Sequence, residues 1–242
     1  MDPHLRNAGD GETLTPFEDL IAAADARLDL LPLEIMTIEI AGHAFAIDAV
    51  RDQDRLLAAA GTFEVFPFGL LLWESGVVMG DAVVESLSLS FPGAVLELGA
   101  GAGLGGIVAA AQGAGVTQTD YCMEALALCR RNARANGVMG IEQRFGDWTD
   151  WRDASRYDLV IGADILYEPA LYGDIVRLLE RTVQPGGQAI LTDPARTHAG
   201  RFVDDLRSAG WTVDVEARRV PALPPCQPFE SVRVDVIRAA RN

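Results

Sequence analysis

The chain has 242 residues and a mass of 26.0 kDa, with 49% apolar and 23% charged residues. That composition belongs to a folded globular protein and excludes a disordered one, and no apolar run reaches the ~18–20 residues of a membrane-spanning helix. A formal net charge of −15 argues against a nucleic-acid partner, because phosphate binding needs a basic face.

The charge is unevenly placed. Residues 1–90 hold 16 acids and four arginines, whereas residues 91–242 hold 19 acids and 16 arginines. The acidic front half is suited to attract a basic partner. Every basic residue is Arg, and there is no Lys. The start, MDPHLRNAGDGETL, lacks the basic-then-apolar pattern of a secretory signal. A cytoplasmic, monomeric protein with no membrane partner is the expectation. Cys122, Cys129 and Cys226 fit no zinc spacing and no CxxC pair, and His4, His43 and His198 are scattered, so no metal site is expected.

In chain order, Thr15-Pro16-Phe17-Glu18 predicts a helix start, with Thr15 as cap and Pro16 in the first turn. The helix runs to about Leu30, before Pro32. Ile35–Ile40 and Ala44–Ile47, separated by Gly42-His43, predict a β-hairpin. A short helix over about 52–60 precedes the aromatic segment Phe63–Gly69, and a long apolar helix is predicted from Leu70 to Leu87. From residue 94 strands and helices alternate. The predicted strands are Ala94–Leu98, Val116–Asp120, Ile141–Phe145, Tyr157–Ala163 and Gln188–Thr192. The helices between them lie near 104–112, 124–135, 170–183 and 197–209. Short apolar strands separated by helices imply a parallel sheet covered on both faces. Trp211–Val220 and Ser231–Arg238 are joined by a Pro-rich loop too short for a crossover helix, so they pair antiparallel. The fold class is therefore α/β, a doubly wound, mostly parallel seven-stranded sheet ending in an antiparallel hairpin. An N-terminal extension over 1–62 precedes a main domain over 63–242.

The chemistry centres on Val95-Leu96-Glu97-Leu98-Gly99-Ala100-Gly101-Ala102-Gly103-Leu104, which runs from a strand into a helix. Glycines let the backbone turn sharply and approach a ligand, and the helix start offers free N–H groups. Gly101, Gly103 and Gly106 also satisfy the GxGxxG dinucleotide spacing. Glu97 lies just before the glycines, where an acid suits an amine-bearing ligand better than a pyrophosphate. Asp120 ends the next strand, placed for ribose hydroxyls. Asp147-Trp148 follows the third strand, an acid and an aromatic suited to an adenine amine and its ring. Successive strand ends thus carry acids fit for a nucleoside without phosphates.

These residues resemble the class I S-adenosylmethionine-dependent methyltransferases. Within them the chain is similar to the seven-β-strand lysine methyltransferase-like family. Asp164-Ile165-Leu166-Tyr167 fits that family's D-x-x-Y motif, and Leu72-Trp73-Glu74-Ser75-Gly76 resembles its Trp-containing helix start. The resemblance covers about residues 63–215. It implies S-adenosylmethionine as cofactor. It assigns Gly99, Gly101 and Gly103 to the methionine part, Glu97 beneath it, Asp120 to ribose, and Asp147 and Trp148 to adenine. Trp73 closes the pocket, with Tyr121 and Ala163 also in the cofactor site. Asp164 and Tyr167 border the methyl acceptor as the catalytic pair. The resemblance also implies a protein substrate with an exposed lysine. Such a substrate is locally basic, so the acidic helix and hairpin of residues 15–60 are expected to help dock it. After the fifth strand the sequence reads Asp193-Pro194-Ala195-Arg196, a D-P-x-R segment resembling bacterial relatives. A small-molecule N- or O-methyltransferase and a catalytically silent cofactor-binding module are the alternatives. A nicotinamide-dependent reductase is disfavoured by Glu97 and by the terminal antiparallel pair.

Overall fold

A computed structural model describes residues 17–51, 53–59, 66–89, 93–223 and 230–241. The Thr15-Pro16 cap, residues 63–65 and Cys226 in the Pro-rich loop lie outside the described residues. Helix α1 (Phe17–Leu28) is followed by strands β1 (Leu33–Ile40) and β2 (His43–Val50) and helix α2 (Gln53–Ala59). Then come α3 (Glu74–Leu89), β3 (Ala94–Leu98), α4 (Leu104–Ala111), β4 (Gly115–Asp120), α5 (Met123–Ala135) and β5 (Glu142–Phe145). The chain continues with β6 (Tyr157–Ala163), α6 (Tyr172–Thr182), β7 (Val183–Asp193), α7 (Ala199–Ser208), β8 (Thr212–Pro221) and β9 (Ser231–Ala240).

Seven strands form one sheet in the order β5-β4-β3-β6-β7-β9-β8. The first five are parallel, and β9 runs antiparallel to both neighbours. Period-2 alternation sends Val95, Val116, Ile161 and Ile190 to one face, under α3, α4, α5 and α1. Leu96, Leu98, Val160 and Leu191 point to the other, under α6 and α7. Burial on both faces explains why β3, β6 and the second half of β7 read as near-continuous apolar runs. The strand order reverses between β3 and β6, which opens a crevice at their carboxyl ends.

Several predicted boundaries differ. The long helix starts at Glu74 and not at Leu70: residues Phe68–Leu70 form a single 3₁₀ turn and Leu71 bridges to Val50. That bridge holds the segment extended against its helical propensity. Pro169–Leu171 is likewise a separate 3₁₀ turn before α6. Strand β7 begins at Val183, not Gln188, because Tyr157 pairs with Val183 across a register shift. His43 opens β2, opposite Ile40. The hairpin turn is the two residues Ala41 and Gly42, with φ of 49° and 79°, as a two-residue hairpin loop requires.

The N-terminal helix and hairpin share the core of the sheet. Ile21, Ala24 and Leu28 form a buried stripe on α1, and Ile40 and Ile47 join the same cluster as Met79 and Ile107. Arg131 on α5 grips Asp25 (Nε to Oδ1, 2.5 Å) and Asp29 (2.7 Å), and Arg130 grips Glu18 (2.6 Å). More unusual is the docking of β2. Asn132 and Asn136, one helical turn apart on α5, act as a substitute strand. Asn132 accepts from Asp48 N (2.8 Å) and donates to Asp48 O (3.0 Å). Asn136 does the same with Ala46 N (2.8 Å) and Ala46 O (2.7 Å). Two side-chain amides thereby satisfy an edge that would otherwise expose backbone polar groups. Asn132 is fully buried and also donates to Ala102 O at 2.9 Å, which ties the hairpin to the glycine turn.

Asn132→Ala leaves a buried N–H and two carbonyls unpaired, and is expected to cost about 2–4 kcal/mol of unfolding free energy in urea titration. Asn136→Ala, only half-buried, is expected to cost about 1–2 kcal/mol. Equal, near-zero effects would show that the hairpin is held by its apolar face alone.

Candidate active site

The crevice beside the β3–α4 turn holds a cavity of about 240 Å³. Trp73, Glu97, Gly99, Gly101, Gly103, Asp120, Tyr121, Trp148, Ala163, Asp164 and Tyr167 all line it. Residues far apart in sequence are brought together because β3, β4 and β6 are sheet neighbours whose carboxyl ends share one edge. Asp147 is not among the lining residues. Its carboxylate turns to its own loop, accepting from Thr149 N (2.8 Å) and Thr149 Oγ1 (2.7 Å). The sequence placed it against adenine, but a short loop places an acid most cheaply on the nearest free N–H.

The glycine turn is shaped by contact. Gly101 has φ +56°, and a Cβ there would lie 3.0 Å from the Gly69 carbonyl oxygen. The segment before α3 therefore closes directly on the turn. Gly101 N donates to Asp120 Oδ2 (3.0 Å), and Cys122 N donates to Asp120 Oδ1 (2.9 Å). A carboxylate has about four acceptor sites, so Asp120 can brace the turn and still accept hydroxyl bonds from a ligand. Burial pushes its carboxyl up to about 6, opposed by these N–H groups.

Glu97 has a different role from the one its position suggests. It is buried, and it accepts from Gln118 Nε2 at 2.8 Å and from the backbone N–H groups of Gly106 and Gly105. It borders the cavity, but its oxygens serve the N-terminus of α4, where free N–H groups and the helix dipole favour an acid. Burial pushes its carboxyl up to about 7. The register places Glu97 opposite Gln118, and Gln118 opposite Gln143. Gln143 Nε2 donates to Gln118 Oε1 at 3.2 Å, so a polar ladder crosses three strands beneath the turn.

The far wall is made by the loop after β6. Asp164 is largely buried, with φ +60°, and its carboxylate lies 2.5 Å from Arg196 Nη2. Burial raises the Asp164 carboxyl above the usual range, opposed by the Arg196 charge. Tyr167 and Tyr121 adjoin each other. Both are partly exposed, as is Phe68, and all three line the same cavity. The mouth is therefore aromatic. The Trp148 indole covers Gly99, where a Cβ would meet it at 3.1 Å. Trp73 Nε1 donates to Phe68 O at 3.4 Å. Phe68 and Arg196 were not singled out from the sequence. Phe68 belongs to a visible aromatic run, and Arg196 ends the D-P-x-R segment, but neither pattern states which way a side chain faces.

Among the described residues no cluster of three or more His, Cys, Asp or Glu could hold a metal, and no helix is long and apolar enough to cross a membrane.

The sheet order, the terminal antiparallel strand and a cavity at the glycine turn define a Rossmann-like methyltransferase architecture. A Pyrococcus horikoshii chain described as an RNA methyltransferase shares it with a TM-score of 0.59 and 19% identity, covering 78% of this chain and 97% of that one. The precorrin-6y C5,15-methyltransferase of Geobacter metallireducens shares it with a TM-score of 0.54 and 16% identity, covering 67% and 88%. At these identities the likeness is one of fold. A family model for lysine methyltransferases matches residues 52–208, and the chain belongs to that family. It is 30% identical over 203 residues to the protein N-lysine methyltransferase METTL21A of Danio rerio, covering 80% of this chain and 85% of that one. It is 28% identical to the histone-arginine methyltransferase METTL23 of Xenopus laevis, covering 61% of this chain and 62% of that one. With the mouse EEF1A lysine methyltransferase 3 it shares 34% identity over 53% of this chain and 57% of the other. Family and fold together imply S-adenosylmethionine as methyl donor.

The raised Glu97 carboxyl sets a pH dependence. A folded value of about 7 against an ordinary 4.5 means that the folded chain holds a proton the unfolded chain has released. Stability is fully present below about 4.5 and is lost as pH rises through about 7. The loss expected from this group is about 3 kcal/mol. Glu97→Gln should flatten that part of the curve of unfolding free energy against pH. An unchanged slope in the variant would assign the titration elsewhere.

Proposed function

We propose that the protein methylates a lysine side-chain amine on a protein substrate, using S-adenosylmethionine. The observation that carries this reading is one cavity lined both by the glycine turn with Asp120 and by Asp164 with Tyr167. Family membership and the METTL21A and EEF1A lysine methyltransferase 3 likenesses support an amine acceptor on a protein.

The donor end fits the cofactor. The turn has no side chains in the way, Asp120 retains acceptor capacity toward ribose hydroxyls, and Trp148 offers a flat face beside Gly99. Held there by the glycine turn and Asp120, S-adenosylmethionine would supply an electrophilic methyl on a sulfonium whose sulfur would keep the carbon–sulfur electron pair. The protein needs no covalent nucleophile. Its task is to align donor and acceptor near ~3–3.5 Å, which supplies up to ~7–11 kcal/mol of the barrier.

The acceptor must arrive as a neutral amine. An ordinary lysine has a pKa of about 10.4, so entry into a largely apolar, aromatic mouth must lower it by desolvation. Phe68, Tyr121 and Tyr167 would exclude water there, and π-faces still tolerate a cation on its way in. Asp164 would accept an N–H bond from the amine and so direct its lone pair, with Tyr167 as the adjoining wall. The acidic front half is less free to dock a substrate than its charge suggests, because Glu18, Asp25, Asp29 and Glu34 pair with arginines of this chain. We therefore place the main acceptor contact at the aromatic mouth.

Label transfer from S-adenosylmethionine into a whole-cell lysate tests the reading. With no lysine in the enzyme, lysine automethylation contributes no background. A labelled protein that yields methyl-lysine on hydrolysis is the expected result. Methyl-arginine would align the chain with METTL23, and label confined to small molecules would make it a small-molecule methyltransferase.

Asp164→Asn keeps a residue that tolerates positive φ. It is expected to lower turnover by about 100-fold or more, while affinity for S-adenosylhomocysteine by calorimetry changes little. An equal loss of affinity would move Asp164 into the cofactor site. Asp120→Asn is expected to show the reverse, with cofactor affinity weakened by about tenfold or more.

A further inference from the structure

The segment Asp193-Pro194-Ala195-Arg196 has no part in the reading above, yet its arginine reaches the cavity. We propose that Arg196 is a positioning residue for the acceptor end: anchored on Asp193, its guanidinium holds the Asp164 carboxylate charged and in one orientation. The inference rests on the amine-acceptor reading of the same site.

The geometry is that of a clamp. Asp193 is fully buried. It accepts from Arg196 N at Oδ1 (2.6 Å) and from Arg196 Nη1 at Oδ2 (2.9 Å). The other arm of the fork, Nη2, lies 2.5 Å from Asp164 Oδ1. One guanidinium thus joins the ends of β6 and β7. Asp193 faces away from the cavity lining, while Arg196 and Asp164 border it. Neutralising Asp193 alone would not require an arginine that reaches so far.

The backbone supports the same conclusion. Three non-glycine residues among those described have positive φ: Ala41 in the hairpin turn, Asp164 at +60° and Ala195 at +58°. The last two flank this ion pair. Left-handed backbone is disfavoured for a non-glycine residue, whose Cβ crowds the following carbonyl oxygen. At Ala195 it folds Arg196 back over the end of β6. At Asp164 it accompanies a bond from Asp164 N to Thr192 O of 2.8 Å, which stitches the two loops together. Both strained residues serve one contact.

Charge explains what the contact does. The groups facing Asp164 are Arg196 and Asp193 from the end of β7, Glu74 from the start of α3, and Tyr167 from its own loop. Of these Arg196 alone is cationic. Burial and two neighbouring acids favour the protonated carboxyl, and the guanidinium opposes them. A protonated Asp164 would lose the charge that draws an amine in. Lysine in place of Arg196 would keep the charge but not the planar fork that spans both aspartates.

The test uses the full chain. Titration followed by side-chain carboxyl ¹³C resonances reads Asp164 without any acceptor, its signal assigned by its absence in Asp164→Asn. In Arg196→Met the Asp164 midpoint is expected to rise by about one pH unit or more, and in Arg196→Lys to stay nearer wild type. Label transfer into lysate protein at neutral pH is expected to fall about tenfold or more in Arg196→Met. Calorimetric affinity for S-adenosylhomocysteine is expected to stay within about twofold. An unmoved Asp164 midpoint, or undiminished transfer by Arg196→Met, overturns the proposal. If wild-type enzyme labels no protein, the amine-acceptor reading fails, and the carboxyl titration still decides the coupling of Arg196 to Asp164. Should Arg196→Met not fold, Arg196→Gln carries the same titration.

Discussion

A buried carboxylate beneath the glycine turn governs the shape of everything above it. Glu97 bonds the first N–H groups of α4, and it can reach them only because Gly105 and Gly106 carry no side chain. A Cβ at either would lie 2.6 or 2.5 Å from a Glu97 oxygen. Gln118 then holds Glu97 and the Gly103 carbonyl together. Helix and strand are locked at close range, and the intervening residues have one course open to them, through left-handed conformations at Gly99, Gly101 and Gly103. That course brings Gly101 against Gly69 and its N–H onto Asp120. The cavity is the space this arrangement leaves at the edge of the sheet.

The N-terminal helix and hairpin are part of the same construction. The ladder under the turn runs from Glu97 through Gln118 and Gln143 to Arg130, which holds Glu18 of α1. Asn132 links Ala102 of the turn to β2, and β2 bridges to Leu71 ahead of α3. Exposed ion pairs such as Arg130–Glu18 add little stability by themselves. Their partners are positioned by the buried apolar stripe of α1, and Arg130 and Arg131 of α5 then pair with Glu18, Asp25 and Asp29. The extension braces the glycine turn from behind.

Burial raises all three acids that line the cavity, and what opposes it differs between them. Glu97 and Asp120 are braced by backbone N–H groups, and burial moves both toward neutrality. Such groups suit a ligand bound by hydrogen bonds. Asp164 is opposed by a guanidinium and faces a rim of phenols and Phe68. The family and its lysine and arginine methyltransferase relatives act on nitrogen acceptors.

The order of elements, the parallel sheet, the terminal antiparallel pair and eleven of the cavity-lining residues were legible in the sequence. They depend on local signals: apolar runs of strand length, glycines at a strand-to-helix turn, acids at strand ends, and a D-x-x-Y after the fourth strand. What local signals do not carry is orientation. Leu71–Trp73 read as helix, but the Val50–Leu71 bridge keeps the segment extended. Glu97 read as an acid facing a ligand, but the nearest free N–H groups were those of α4. Asp147 read as a partner for adenine, but Thr149 was closer. Arg196 read as the end of a short segment, and only the pairing of β6 with β7 sets its guanidinium beside Asp164. Composition and period determine which elements form. Which way a polar side chain turns is decided by the donors and acceptors that tertiary packing brings within about 3 Å, and those come from distant parts of the chain.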